Sequence, residues 1–312
     1  MPDQAEKLRE MMKDRDKVSS GNGSDPEVAV RANSSGTPAP HGAAEGKRTR
    51  IIAVSSGKGG VGKTNVATNL AIAYAKLGKR VIVLDADLGA ANVNVVLGVI
   101  PKYNLYHLIR NQKTMKDILL DTRYGIQIVA GASGFSKIAN LSADERDRFV
   151  AELQELSNAD IIVIDTSAGV SDNVLAFVAA ADDALIVTTP EPTAITDAYG
   201  IIKIIATDLD ELDLGLKLIV NRVHSVTEAK KVAERVISIA GQFLNLKVDY
   251  LGYVYEDQSV PNSVLKQKPF MVADPRGRAS ICINHLVARL ENVEYREGRG
   301  VARFLGRLFG GA

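Results

Sequence analysis

Seven short apolar runs, spaced along the chain from residue 50 onward, restrict its fold more than any other feature. They are RIIAVS (50–55), RVIVLD (80–85), IQIVA (126–130), IIVID (161–165), ALIVTT (184–189), LKLIV (216–220) and VDYLGYV (248–254). They are rich in β-branched residues, and most lack the polar side chain at every second position that marks a half-solvated strand. Strands written this way belong in a parallel sheet covered on both faces. Helical stretches fall between them near 63–77, 143–156, 172–180, 227–243 and 278–291. Strand-helix alternation predicts an α/β fold with a doubly wound, mostly parallel sheet.

The residues outside this pattern divide the rest of the chain. Residues 1–17 are rich in helix formers, and 18–49 consist mainly of Gly, Ser, Pro, Ala and Asn. The second stretch cannot bury enough apolar surface to offset its ordering entropy, so a flexible linker is predicted. The α/β domain is expected over 50–295 and a terminal helix over 296–312. The basic cluster Lys47, Arg48 and Arg50 reads as a solvated junction at the domain edge. A formal net charge of +1 gives no overall basic field for nucleic acid. The single cysteine, Cys282, excludes an internal disulfide and a Cys-pair metal site, and reads as a buried apolar side chain in a reducing compartment. The charged N-terminus has no apolar leader core, and no apolar run approaches the ~20 residues of a membrane-spanning helix. Any membrane contact is therefore expected to be peripheral.

Directly after the first apolar run comes SSGKGGVGKTNVATNLA, in which Gly57 to Thr64 satisfies G-x-x-x-x-G-K-[ST]. Glycines allow backbone N–H groups to fold around phosphate oxygens. Lys63 is placed to reach the β- and γ-phosphates, and the Thr64 hydroxyl to ligate Mg²⁺. The helix that follows aims its positive dipole end at the same anion. The next runs end in carboxylates: Asp85 and Asp87 in VLDADLGAANVNVVLG (83–98), Asp165 in IIVIDTSAG (161–169). Carboxylates at the C-terminal ends of parallel strands face the ligand crevice.

The loop Lys58-Gly59-Gly60-Val61-Gly62-Lys63-Thr64 resembles the deviant Walker box of the MinD/ParA family. The resemblance implies an Mg²⁺-dependent ATPase that dimerises on ATP, with Lys58 reaching across to the partner's nucleotide and acting with Lys63 and Asp87 in hydrolysis. A cation near the transferring phosphoryl stabilises its spreading charge as an arginine finger does. By the same resemblance Asp87 positions the attacking water, Asp165 lies near the Mg²⁺ shell and Asp85 supports either the metal or the loop. Gly57 to Asn65 line the nucleotide, and Asn221, Arg222, Glu256 and Asp257 lie on the adenine side. An amide such as that of Asn221 can pair with a purine edge. There is no N-K-x-D guanine box, so ATP is expected rather than GTP.

Both tails carry patterns. In GRGVARFLGRLFGGA (298–312), Val301, Phe304, Leu305, Leu308 and Phe309 share a helical arc about 140° wide, opposite Arg299, Arg303 and Arg307. A basic amphipathic helix of this kind suits an anionic bilayer surface. MinD-type proteins carry such a helix here, which implies a cytoplasmic protein held reversibly at the inner face of the cell membrane. At the other end, Asp3, Gln4, Ala5, Leu8 and Arg9 form D-Q-A-x-x-L-R. This is similar to the start of the flagellar group of the family (FlhG, also FleN or YlxH), where it stimulates the signal-recognition-type GTPase FlhF. A flagellar transcription regulator or switch-complex protein is a further partner the resemblance allows. Two alternatives stay within the family: a division-site MinD, and a partition ATPase that binds DNA. For the latter, Lys230, Lys231 and Arg235 are diluted by Glu228 and Glu234. A reductase of the nitrogenase-iron-protein kind would need cysteine pairs.

Overall fold

The structure, a computed structural model, describes residues 49–87, 92–131, 151–209, 214–244 and 246–292. The described residues all belong to the unit Gly46–Ala312. The strands are β1 (Arg50–Ser56), β2 (Val81–Ala86), β3 (Leu119–Asp121), β4 (Gln127–Val129), β5 (Ile161–Ala168), β6 (Asp183–Thr188), β7 (Gly215–Val223) and β8 (Asp249–Tyr255). They form one sheet in the order β3-β4-β2-β5-β1-β6-β7-β8. All pairings are parallel except β3 with β4. The predicted doubly wound, mostly parallel sheet is therefore present. β1 lies mid-sheet and the connections diverge on either side of it, which opens a crevice at its carboxyl end.

The unalternating apolar runs have a direct consequence. In β1, Ile51 and Ala53 enter one core while Ile52 and Val54 enter the other. In β5, Ile162 and Ile164 face the first core, and Ile161 and Val163 the second. Each fully buried Val or Ile side chain contributes roughly 1.5–3 kcal/mol of transfer free energy, so polar residues in these strands gather at the ends, where they find partners or line the crevice.

The helices are α1 (Lys63–Lys76), α2 (Val93–Leu97), α3 (Leu105–Ile109), α4 (Met115–Ile118), α5 (Asp172–Ala180), α6 (Pro192–Asp208), α7 (Val226–Leu244), α8 (Ser259–Leu265), α9 (Phe270–Ala273) and α10 (Arg278–Asn292). Those predicted at 63–77, 172–180, 227–243 and 278–291 appear within a residue or two of their expected ends. Of the one predicted at 143–156, only residues 151–156 are described: helical over 151–154, then a 3₁₀ turn over Glu155–Asn158. Sequence reading missed α6. It is rich in Ile and Thr, whose branched side chains lower helix propensity. Burial of Ala194, Ala198, Ile201, Ile202 and Ile205 along one face overrides that preference, and Pro192 opens the helix where a missing N–H costs nothing. β3, three residues at the sheet edge, is too short to show a period.

Arg50 is a correction. It is not a solvated junction residue: it is buried, with Nε 2.8 Å and Nη2 2.7 Å from Asp183 Oδ2. Its Nη1 donates to the Leu290 carbonyl at 3.2 Å. Asp183 at the start of β6 and the last turn of α10 close over the start of β1, so its first residue is covered. Lys47, Arg48 and the segments 1–17 and 18–48 lie outside the described residues, as does 293–312.

Candidate active site

The chain leaves β1 and turns through residues 57–62 into α1. Gly60 and Gly62 hold φ values of 80° and 93°, in the left-handed region that disfavours a side chain. Gly62 is the N-cap of α1 and offers no side-chain cap, so the first amides of the helix are left to an external acceptor. A Cβ at Gly57 would strike the backbone carbonyl of Asp197, and one at Gly62 would strike the Asn221 amide. Gly59 has more room, with the Ala168 Cβ 4.0 Å from the position its own would take. The Val61 side chain is buried beneath the loop and its carbonyl accepts from Asn221 Nδ2 at 2.8 Å. Asn221, at the end of β7, is thus tied to the loop; sequence reading had expected it only near the base.

Lys63 is buried, with Nζ 3.4 Å from Asp165 Oδ1. Burial pushes the Asp165 carboxyl up, while Lys63 and the Thr64 hydroxyl act against that. Asp165 Oδ2 is buried without a hydrogen-bond partner. An orphaned carboxylate oxygen beside a threonine hydroxyl at a P-loop fits an oxygen-seeking Mg²⁺, which takes one or two protein ligands and completes its shell with phosphate and water. Asn65 Oδ1 is likewise buried without a partner.

β2 places the other two carboxylates. Asp85 is fully buried and sits opposite Asp165 in the β2–β5 register. Its Oδ1 accepts from the Asp87 amide at 3.1 Å and its Oδ2 from the Val93 amide at 3.2 Å. Burial and the Asp165 charge push its carboxyl up to about 7 against those two amides. Both oxygens of Asp85 are thus engaged by amides, one just after β2 and one at the start of α2. Asp87 Oδ2 accepts from Asn92 Nδ2 at 3.2 Å, which fixes its direction.

On the other flank, Arg222 has a φ of 58° and its guanidinium lies 3.6 Å from Glu256. Glu256 is also 3.3 Å from His224 Nε2. Asp257 Oδ1 accepts from the Ser259 amide at 2.9 Å and its Oδ2 from the Ala279 amide at 3.0 Å. Burial raises this carboxyl, but the amides outweigh it and hold it below the usual range. Asp257 therefore holds the starts of α8 and α10 together on the side where the base was expected.

Lys58 Nζ donates to Glu191 Oε2 and to Thr193 Oγ1, each at 2.8 Å. The ammonium holds the Glu191 carboxyl below its usual range. Sequence reading missed this acceptor pair because it missed α6; the signal was Glu191-Pro192, an acid before a proline at the end of an apolar run. Asn92 was missed too, with no motif to mark it. The predicted tail residues Asp3, Gln4, Ala5, Leu8, Arg9, Val301, Phe304, Leu305, Leu308 and Phe309 lie outside the described residues.

Residues 52–270 match the family model described as the CobQ/CobB/MinD/ParA nucleotide binding domain. The antiactivator FleN of Pseudomonas aeruginosa is 39% identical over 244 residues, covering 78% of this chain and 86% of FleN. The flagellum site-determining protein YlxH of Helicobacter pylori is 37% identical over 249 residues, covering 78% of this chain and 83% of YlxH. Among solved structures, the cell division ATPase MinD of Pyrococcus furiosus superposes with a TM-score of 0.64 at 25% identity, over 78% of this chain and 98% of that one. With the phosphate loop, the buried Lys63–Asp165 pair and Asp87 in place, the chain belongs to the MinD/ParA family and is a P-loop ATPase.

Proposed function

We propose that this ATPase is a dimerisation switch that controls flagellar number or placement from the membrane surface. The observation that carries the reading is the loop itself: Lys63 is committed to the Asp165 corner, whereas Lys58 points away to an exposed surface pair. A second loop cation facing outward suits action in trans on the nucleotide of another copy. The names of the similar proteins FleN and YlxH support the flagellar assignment.

In this reading the chain's groups divide the work. Amides of the loop and of the α1 N-terminus bind the phosphates, and Lys63 neutralises the β/γ oxygens. Thr64 and Asp165 would hold Mg²⁺, which when bound offsets phosphate charge. Asp87, oriented by Asn92, aligns water for in-line attack on the γ-phosphorus. Lys58 leaves Glu191 and Thr193 when a second copy docks, and stabilises charge on the partner's phosphoryl group. Asn221 and Arg222 border the base. Dimerisation presents two copies of the 296–312 helix, so weak anchors gain avidity and ATP state sets residence on the cytoplasmic face of the membrane. Residues 1–17 bind and stimulate the GTPase FlhF, with Gln4 and Arg9 offered to its site; a flagellar transcription regulator or switch-complex protein is a further partner.

Two measurements test this. Sedimentation of the full chain with phosphatidylglycerol liposomes is expected to require ATP and residues 298–312; retention with ADP alone, or without the tail, refutes the switch. A peptide of residues 1–17 is expected to raise the GTP hydrolysis rate of FlhF, and Gln4→Ala to abolish the effect. An unchanged rate at saturating peptide removes the flagellar partner and leaves a division-type role.

A further inference from the structure

Between Ile100 and Lys116 the chain carries four cations, Lys102, Arg110, Lys113 and Lys116, and no acid, whereas the whole chain holds 38 basic against 37 acidic side chains. The structure gathers this segment around α3. Lys102 Nζ lies 5.2 Å and Lys113 Nζ 4.4 Å from the centre of the Tyr103 ring. The Arg110 guanidinium lies 5.5 Å from the centre of the Tyr106 ring. His107 meets both tyrosines edge-on, so the three rings form one cluster. Ile100, just before it, is 95% exposed, and Tyr106 is 40% exposed.

We propose that this surface docks an acidic polypeptide segment, with Lys102, Arg110 and Lys113 receiving carboxylates and Ile100 and Tyr106 receiving an apolar side chain. Among the described residues none of these cations has a carboxylate at ion-pair distance. The nearest acid in sequence, Asp117, is engaged by the amide and hydroxyl of Thr114. Lys102 and Lys113 spend donors on the Tyr103 hydroxyl, but an ammonium has three, so each keeps N–H groups for a further acceptor while the ring restrains it. Tyrosine and arginine with an exposed apolar neighbour are the residues that dominate protein interfaces. A single-stranded nucleic acid fits less well. Its bases stack on successive open rings, and with both lysines on Tyr103 only Tyr106 is left to offer one.

The surface also stands beside the nucleotide crevice. The Leu105 amide donates to the Ala130 carbonyl at 3.1 Å, fixing α3 to the end of β4. Immediately beyond, the position of a Cβ on Gly131 is 2.5 Å from the Asp85 carbonyl. A partner held on α3 is thus two short steps from the loop that carries Asp87. The proposal does not depend on the flagellar reading.

The test is fluorescence anisotropy of the full chain with a labelled twelve-residue peptide of repeated Glu-Glu-Tyr. An oligothymidylate of equal length and phosphatidylglycerol vesicles serve as the other anionic probes. The peptide is expected to bind in a salt-sensitive way. Lys102→Glu with Lys113→Glu is expected to weaken it at least ~tenfold, and Tyr106→Ser to weaken it less. Lys247→Glu, an exposed charge reversal two residues before β8, is expected to leave binding unchanged. Retained thermal stabilisation by ATP checks that each variant is folded. The proposal is overturned by absence of peptide binding, by equal loss in the Lys247 variant, or by no loss in the double variant. Tighter binding of oligothymidylate or vesicles through the same residues also overturns it.

Discussion

Asp85 and Asp165 face each other across the β2–β5 register, two fully buried carboxylates on adjacent strands. The pair is tolerable because each has separate compensation: two amides for Asp85, Lys63 for Asp165. Asp165→Asn keeps an acceptor for Lys63 and removes the charge that raises Asp85. Relief at Asp85 opposes the loss of Lys63's counter-charge, so the melting temperature of the nucleotide-free protein is expected to change little. The extra stabilisation that Mg²⁺ gives with ADP should fall, since a ligand at a hundred times its Kd adds about 2.7 kcal/mol and a site lacking its anionic oxygen loses that occupancy. Thermal melts with ADP, with and without Mg²⁺, read both effects. A full Mg²⁺ increment in the variant would contradict the metal assignment.

Gly62 combines a left-handed φ with contact to Asn221. Gly62→Ala adds a methyl group where the backbone disfavours it and where the Asn221 amide already stands. The cost is expected to exceed the ~1 kcal/mol of a simple glycine substitution, lowering the melting temperature by at least roughly 2–4 °C. Nucleotide affinity should fall with it, because the loop carbonyl held by Asn221 shifts. Differential scanning fluorimetry and ATP titration check this; a variant with normal melting and affinity shows the loop to be looser than the contacts imply.

Legibility followed the range of the interactions involved. The parallel sheet was readable because burial on both faces leaves a local signature in its parallel strands, though not in the short edge strand β3. The phosphate loop was readable because glycines, Lys58, Lys63 and Thr64 carry its chemistry within eight consecutive residues. What escaped depended on contacts distant in sequence. Arg50 looks like a surface residue in isolation and is buried only because Asp183 and α10 close over it. Glu191 and Thr193 acquire meaning only when α6 begins beside Lys58. Nothing local to the run around Asp257 reveals that the Ala279 amide comes back to meet its carboxylate.

Asp87 is held by Asn92 and by the amide link to Asp85, so its carboxylate has a defined direction. Asp87→Ala is expected to keep ATP binding within a few-fold and to lower hydrolysis by ~10²-fold or more, the usual scale of a lost general base or water-positioning group. Dimers should accumulate with ATP, seen by light scattering. Asn92→Ala should lower hydrolysis less, through misdirection alone. Normal turnover in the Asp87 variant refutes the role.

Lys58 is held by two acceptors at the start of α6. Glu191→Gln with Thr193→Val removes the charge and the hydroxyl, freeing the ammonium. ATP-dependent dimers are then expected at lower protein concentration, by several-fold in sedimentation. In the wild type, Glu191 is held below the usual carboxylate range by Lys58, so its charge and this restraint persist at neutral pH and are lost only as pH falls through that lowered value. Acidification should therefore mimic the double variant only below the ordinary carboxylate range. An unchanged or weaker dimer would show that these acceptors do not restrain Lys58.

Arg50 joins the first strand to the last described helix. Its guanidinium bonds Asp183, the Leu290 carbonyl and, at 3.3 Å, Glu291, while Lys217 Nζ approaches the other Asp183 oxygen at 2.6 Å. Burial opposes the Arg50 charge, but its carboxylate neighbours outweigh that and raise its pKa, so it is charged throughout the working range. Arg50→Ala leaves Asp183 with Lys217 alone and strips a donor from a buried carbonyl in the last turn of α10. Removing one member of a buried ion pair costs about 3–5 kcal/mol, and the remaining lysine argues for the lower end. A loss of about 3 kcal/mol corresponds to a melting temperature lower by roughly 6–12 °C for a domain of this size. The effect should also be local: hydrogen exchange is expected to quicken in the last turn of α10 before it quickens in β5. Arg50→Lys restores a charge but not the fork that reaches Asp183 and Leu290 together, so it should recover only part of the stability. An Arg50→Ala protein with wild-type melting and unchanged exchange in α10 would mean that the buried network does not fasten α10 to the sheet.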